Sequence, residues 1–241
     1  MTGMLASVMS LEEAALVLAA KVDIIDLKQP ASGALGALDI DLVKQIVKSI
    51  QGQCPVSATI GDLPMQPDII FKAVKAMSET GVDYIKIGCF PGYDSHGTVA
   101  RLESLTQQNQ NLIAVLFADC ILDFSLLDSL KNSGFKGVML DTMHKQNGSL
   151  TEILEQSEIE RFVRSARSRQ LLCGLAGSLR LTDIPGLLAL QPDYLGFRGA
   201  LCLQHNRTGT LSNLALAEVK QAVHLKCCGY SQHESDRAVI D

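Results

Sequence analysis

Apolar positions along this chain follow two alternating spacings. Short runs rich in β-branched and aliphatic residues, at 5–9, 23–28, 56–60, 84–88, 112–118, 137–141, 171–176 and 194–198, read as strands. Between them lie longer segments with apolar residues three and four apart: LEEAALVLAA, DIDLVKQIVKSIQ, PDIIFKAVKAMSET, FSLLDSLKNSG, EILEQSEIERFVRSARS and LSNLALAEVKQAVH. Ser10 stands where an N-cap belongs, with acids in the turn that follows, and Gly81 and Gly134 stand where helices stop. Strand–helix alternation repeated eight times predicts a parallel sheet. Eight repeats within 241 residues predict a closed (β/α)8 TIM barrel, a single α/β domain over 1–224 followed by a polar tail at 225–241. An open doubly wound sheet fits less well, because Met9-Ser10-Leu11 lacks the glycine-rich turn that such folds place after their first strand. A weak echo between DIIDLKQP and VMLDTMHKQ, and between VDYIKIG and PDYLGFRG, pairs strand two with six and four with eight.

Composition narrows the function classes. With 47% hydrophobic residues the chain is long and apolar enough to bury a core. Its net charge of -5 argues against broad non-specific binding to nucleic acid or to an anionic membrane. No apolar run reaches the ~18 residues of a membrane helix, and MTGMLASVMSLEE meets acidic residues too early for a secretory leader, so a soluble cytoplasmic protein is expected. The 7 cysteines (54, 89, 120, 173, 202, 227 and 228) contain no CxxC pair and the 5 histidines are scattered. That distribution predicts reduced thiols and no metal site. Exposed apolar helix faces predict a homo-oligomer.

Ionisable residues in barrel strands need a reason, because such strands pack on both faces. In DIIDLK, Asp26 and Lys28 share one parity, facing the lumen, and Ile25 and Leu27 share the other. Lys86 lies between Ile85 and Ile87; Asp141 ends strand six and Lys145 follows it. Asp62 and Asp119 close strands three and five. All are expected at the C-terminal rim, where barrel enzymes keep their chemistry. A single strand lysine is often half of a buried ion pair. Three lysines with several carboxylates at one rim are more charge than stability requires. Crowded, desolvated lysines lose their protons easily, and a neutral amine attacks a carbonyl to form an imine, which points to class I aldolase chemistry. Parity alone leaves open which lysine is the nucleophile.

Strand seven runs into Gly174-Leu-Ala-Gly177-Ser178 and strand eight into Gly196-Phe-Arg198-Gly199-Ala200. Loops after the last two barrel strands commonly cradle phosphate with backbone N–H groups, so Gly177, Ser178, Gly199 and Ala200 are candidate phosphate ligands. Arg198 is expected to add a charge-assisted contact, and Arg207 lies either at the mouth or on a solvated loop.

The segments VDIIDLKQPASGALGA, PVSATIGDLP, GVDYIKIG, LDTMHKQNGSL, GLAGSL and PDYLGFRGALC together resemble the (5-formylfuran-3-yl)methyl phosphate synthase family, from about residue 5 to about residue 223. The resemblance implies a TIM-barrel lyase that joins two molecules of glyceraldehyde 3-phosphate, with loss of one phosphate and two waters, to make the furan of methanofuran-type one-carbon carriers. It implies a small-molecule substrate and no metal or organic cofactor. By motif, Lys28 matches the family's Schiff-base lysine and Lys86 its proton-accepting lysine, while Asp26, Asp141 and Lys145 match further active-site positions. Gln29 stands where the family usually has Asn, the segment between strands four and six is compact with a short helix before Leu112, and residues beyond Leu225 fall outside the match. The rival readings are another class I phosphosugar aldolase and a catalytically silent phosphosugar-binding barrel.

Overall fold

A computed structural model of the protein describes residues 1–224. Eight parallel strands, β1 (Gly3–Val8), β2 (Ile24–Leu27), β3 (Val56–Thr59), β4 (Tyr84–Gly88), β5 (Leu112–Phe117), β6 (Gly137–Asp141), β7 (Leu172–Leu175) and β8 (Tyr194–Phe197), pair in chain order, and β8 closes onto β1. The architecture is the expected (β/α)8 barrel in a single domain. The expected tail at 225–241, with Cys227 and Cys228, lies outside the described residues.

Helices α1 (Leu11–Ala19), α2 (Ile40–Ile50) and α3 (Pro67–Ser78) follow the first three strands. Two short helices, α4 (Ser95–Arg101) and α5 (Glu103–Thr106), fill the compact segment before β5, and α6 (Leu126–Asn132) follows that strand. The segment predicted as one helix over 152–168 is two, α7 (Leu150–Ile153) and α8 (Gln156–Ser168). The helix breaks because Leu154 is extended, at φ -115° and ψ 140°. The remaining helices are α9 (Ile184–Ala189) and α10 (Asn213–His224). Among the described residues no helix is long and apolar enough to cross a membrane.

Local chemistry sets the ends. Ser10 Oγ accepts the Glu13 N–H and Glu13 Oε2 accepts the Met9 N–H, a reciprocal cap that starts α1. Asp39 caps α2 through the N–H groups of Asp41 and Leu42. Past α6, Gly134 takes φ +77°, the left-handed stop predicted there.

The apolar core has two parts. Side chains of one strand parity, Ile25 and Leu27 among them, pack outward beneath the helices. Those of the other parity fill the lumen around Leu5, Ile113, Val115, Phe117, Met139 and Tyr194. The loop after β2 folds over the mouth and drops Ala34 and Leu35 into that lumen cluster. The other half of the mouth, over β6, β7, β8 and β1, stays open.

Candidate active site

Asp26 and Lys28 point into the lumen because the residues between and before them point out. Asp26 is fully buried, and its carboxylate accepts hydrogen bonds from Ser7 Oγ and Ser57 Oγ, both at 2.7 Å. Ser7, Asp26 and Ser57 are register partners on β1, β2 and β3, so the sheet itself aligns the three. Lys86 Nζ completes the cluster 2.7 Å from Asp26 Oδ1. Parity in the sequence could have identified both serines, since each faces the lumen beside Asp26.

Asp141 ends β6 and is shared between two cations. Its Oδ1 accepts from Lys145 Nζ at 2.6 Å and from the Thr142 N–H at 2.8 Å, while its Oδ2 lies 3.7 Å from Lys28 Nζ. Burial pushes the Asp141 carboxyl upward, but the charges of Lys145 and Lys28 and these hydrogen bonds outweigh it and hold the group well below the usual carboxylate range. Lys28 responds differently. Burial, reinforced by repulsion from Lys145 and Lys86 and opposed by Asp141 and Asp26, lowers its ammonium pKa to about 7. A substantial fraction of Lys28 is therefore a neutral amine near neutral pH, a state that exposed lysines scarcely reach.

Lys28, Lys86, Asp141 and Lys145 all line one cleft at the barrel mouth, with about 780 Å³ of empty space open to solvent. The opposite wall is backbone at Gly177-Ser178 and Gly199-Ala200. Among the described residues, none of these four N–H groups donates to a protein acceptor. Gly177 adopts φ +109°, and a Cβ there would lie 2.7 Å from Thr142 Cγ2, so the turn requires glycine. Backbone donors without a protein acceptor, lining a cleft with several cations, suit a phosphate.

Three charged residues have roles other than those expected from the sequence. Arg198 lines the cleft, but its guanidinium is committed elsewhere: it pairs with both Glu13 oxygens, at 2.6 and 3.1 Å, and donates to the carbonyls of Ser7, Arg207 and Gly209. Its charge is already compensated, so it buttresses the β8 loop against α1. Asp62 and Asp119 reach the rim as expected, yet both turn into backbone. Asp62 holds the N–H groups of Ala34 and Leu35, at 2.7 and 2.6 Å, and so pins the loop over the mouth. Asp119 holds the N–H groups of Met143 and His144, both at 2.7 Å, in the loop that carries Lys145. Arg207, left open by the sequence, lines the cleft and donates one hydrogen bond to the Gly33 carbonyl at 3.0 Å.

Among the described residues no three of His, Cys, Asp and Glu gather as a metal-ligand set. The described cysteines 54, 89, 120, 173 and 202 are free thiols. Burial pushes the Cys89 and Cys173 thiols up to about 12, which makes them inert.

Residues 4–220 match a family model described as 4-HFC-P synthase. A protein of Methylorubrum extorquens, whose name assigns it provisionally as a (5-formylfuran-3-yl)methyl phosphate synthase, is 38% identical over 91% of this chain and 91% of its own. The (5-formylfuran-3-yl)methyl phosphate synthase of Methanosarcina mazei is 32% identical over 83% of this chain and 90% of its own. That of Methanocaldococcus jannaschii is 30% identical over 90% and 98%. Among solved structures, the barrel resembles 3-hexulose-6-phosphate synthase from Salmonella typhimurium (TM-score 0.65, 14% identity, covering 92% of this chain and 100% of that one), a likeness of fold alone.

Proposed function

The chain belongs to the 4-HFC-P synthase family, and from that membership we propose that it condenses two molecules of glyceraldehyde 3-phosphate into (5-formylfuran-3-yl)methyl phosphate through an imine on Lys28. The observation that carries this reading is the Lys28 amine itself, buried, with its pKa lowered to about 7, in a cleft walled by free backbone donors.

The lysines divide the work. Neutral Lys28 attacks the aldehyde carbon of one triose phosphate. Lys86, ion-paired with Asp26 at 2.7 Å, gives the proton with which the carbinolamine hydroxyl leaves as water. Now neutral, Lys86 takes the proton from the carbon next to the imine, and those electrons form the enamine. The enamine carbon attacks the aldehyde of the second triose phosphate, whose oxygen is polarised by Lys145, itself fixed by Asp141. Elimination of one phosphate, ring closure, loss of the remaining water and release of Lys28 give the furan. The two trioses minus one phosphate and two waters equal the product, so no oxidant or cofactor enters the balance. Backbone N–H groups at Gly177-Ser178 and Gly199-Ala200, with Arg207, hold the phosphate that is retained.

A reducing cytoplasm suits both a phosphorylated substrate and free thiols. Exposed Ile121, Leu203 and Leu214 support self-association into a homo-oligomer. The decisive experiment mixes purified protein with glyceraldehyde 3-phosphate alone and follows products by mass spectrometry. A phosphorylated furan aldehyde with equimolar free phosphate is expected, together with a borohydride-trapped adduct on Lys28 that Lys28→Ala abolishes. Unchanged substrate with folded protein would sink the reading.

A further inference from the structure

Lys145 stands on a stretch without regular structure, between the end of β6 at Asp141 and the start of α7 at Leu150. Such a stretch has torsional freedom that only outside contacts remove, yet it brings the ammonium to 2.6 Å from one oxygen of Asp141. Contacts reach it from both neighbouring strands of the barrel. On the β7 side Ser178 Oγ donates to the Lys145 carbonyl at 3.3 Å. On the β5 side Asp119 takes the N–H groups of Met143 and His144, one on each carboxylate oxygen, both at 2.7 Å. Among the described residues neither N–H has another acceptor.

Among the described residues the loop at Met143 and His144 supplies every side-chain hydrogen-bond partner of Asp119 outside its own backbone, the third being His144 Nδ1 at 3.0 Å. The carboxylate is 8% exposed and does not line the substrate cleft. Burial pushes the carboxyl upward, but the two N–H groups and the His144 ring outweigh it and hold the group below the usual carboxylate range. The charge therefore persists, and hydrogen bonds to a charged acceptor are roughly twice as strong as neutral ones. The base of this clasp is fixed too. Ala118, the residue before Asp119, donates its N–H to the Asp141 carbonyl at 2.8 Å. The clasp and the carboxylate that receives Lys145 are thus tied to each other through the sheet.

Resting on the function proposed above, we infer that Asp119 is a positioning residue for the reaction: by clasping the backbone at Met143 and His144 it holds Lys145 against Asp141, and so sets where the second aldehyde is polarised. It touches no substrate and transfers no proton. Its influence on Lys28 is likewise indirect. Lys28 faces Asp141, Lys145, Lys86 and Asp26; the two lysines favour its neutral amine and the two carboxylates its ammonium. A Lys145 that drifts from its place repels Lys28 less and leaves Asp141 to attract it more. Loss of the clasp therefore raises the pKa of Lys28, whereas loss of a negative charge acting directly on Lys28 would lower it. The two causes have opposite signs.

Asp119→Asn keeps the size of the side chain but offers one carbonyl oxygen to two N–H groups. The titration of Lys28 is read without turnover, from the pH dependence of its reductive methylation by formaldehyde and cyanoborohydride. Only the neutral amine reacts, and mass spectrometry of the Lys28 peptide measures the extent. Asp119→Asn and Asp119→Ser are each expected to move that curve, in folded protein, to higher pH by about half a unit. In the Lys145→Met background Asp119→Asn should move it no further, because the lysine through which Asp119 acts is gone. His144→Ala, which keeps both backbone N–H groups, should leave the curve in place. With glyceraldehyde 3-phosphate, kcat of Asp119→Asn should fall roughly ten- to a hundredfold while KM changes little. An unmoved curve, one moved to lower pH, a shift that persists in Lys145→Met or an equal shift in His144→Ala overturns the inference and leaves the proposed function standing. If the wild type makes no furan, the function falls and the methylation curves alone decide whether Asp119 holds Lys145.

Discussion

Lys28 Nζ lies 3.7 Å from Oδ2 of Asp141, too far for a hydrogen bond and close enough for strong Coulomb attraction. The shorter contact of Asp141, 2.6 Å, goes to Lys145. This asymmetry leaves the Lys28 amine free to attack while its counter-charge still limits how far its pKa falls.

Its first consequence is in the pH profile. The acid limb of kcat/KM should fall tenfold per pH unit below about 7, the pKa of Lys28. Asp141→Asn removes the attraction that favours the ammonium, so the limb should move to lower pH, at reduced amplitude because Lys145 loses its anchor. Lys145→Met removes a repulsion, and its limb should move to higher pH. A shared, unmoved limb in all three proteins would detach the profile from Lys28.

Stability should carry the opposite mark of the same burial. Lys28 has a pKa of 10.5 when unfolded and about 7 when folded, so between those values the unfolded chain binds more protons. This group's contribution to stability therefore rises with pH across that window and is at its least below pH 7. Lys28→Met removes the penalty at a cost on the order of one lost Coulomb contact to Asp141. Scanning calorimetry at pH 7 should show the variant melting several degrees higher, a gain on the order of a few kcal/mol that shrinks toward pH 10. A lower melting temperature at pH 7 would refute the depressed pKa.

Glu13 and Arg198 form a buried ion pair beside the site. Both are buried, and the guanidinium meets the two carboxylate oxygens together. Glu13→Gln leaves that charge uncompensated and also weakens the cap of α1, so urea unfolding should show a loss of about 3–5 kcal/mol. The folded fraction should keep its KM for triose phosphate, since Arg198 has no free donor to offer. A raised KM with unchanged stability would return Arg198 to the phosphate site.

The barrel was legible because its signal is periodic. Alternation of Asp26 and Lys28 with Ile25 and Leu27 fixed which side chains enter the lumen, and the structure brings Asp26, Lys86, Lys28, Asp141 and Lys145 into one cluster at its mouth. Where each rim charge turns was not legible, because that depends on partners distant in sequence. Asp62 finds backbone at Ala34 and Leu35, Asp119 at Met143 and His144, and Arg198 finds Glu13, 185 positions away. The break at Leu154 was hidden for a related reason: apolar spacing continues through it while the backbone does not.

The phosphate wall makes the last prediction. Gly177 needs both its positive φ and the space that Thr142 denies a Cβ, so Gly177→Ala should swing the Gly177 and Ser178 N–H groups away from the cleft. The expected result is a raised KM with the Lys28 pH limb unmoved, because no charge has changed. Arg207→Gln tests the ionic half of the same grip. The side chain is half-buried, and among the described residues its guanidinium makes one hydrogen bond, to Gly33, leaving donors for an anion. Losing a charge-assisted contact of about 1.5–3 kcal/mol should raise KM by roughly ten- to a hundredfold while kcat changes little. Steady-state kinetics with glyceraldehyde 3-phosphate checks both, and inorganic phosphate as a competitive inhibitor should weaken in parallel. If Arg207→Gln left KM and phosphate inhibition as they are, the retained phosphate would be held by backbone alone.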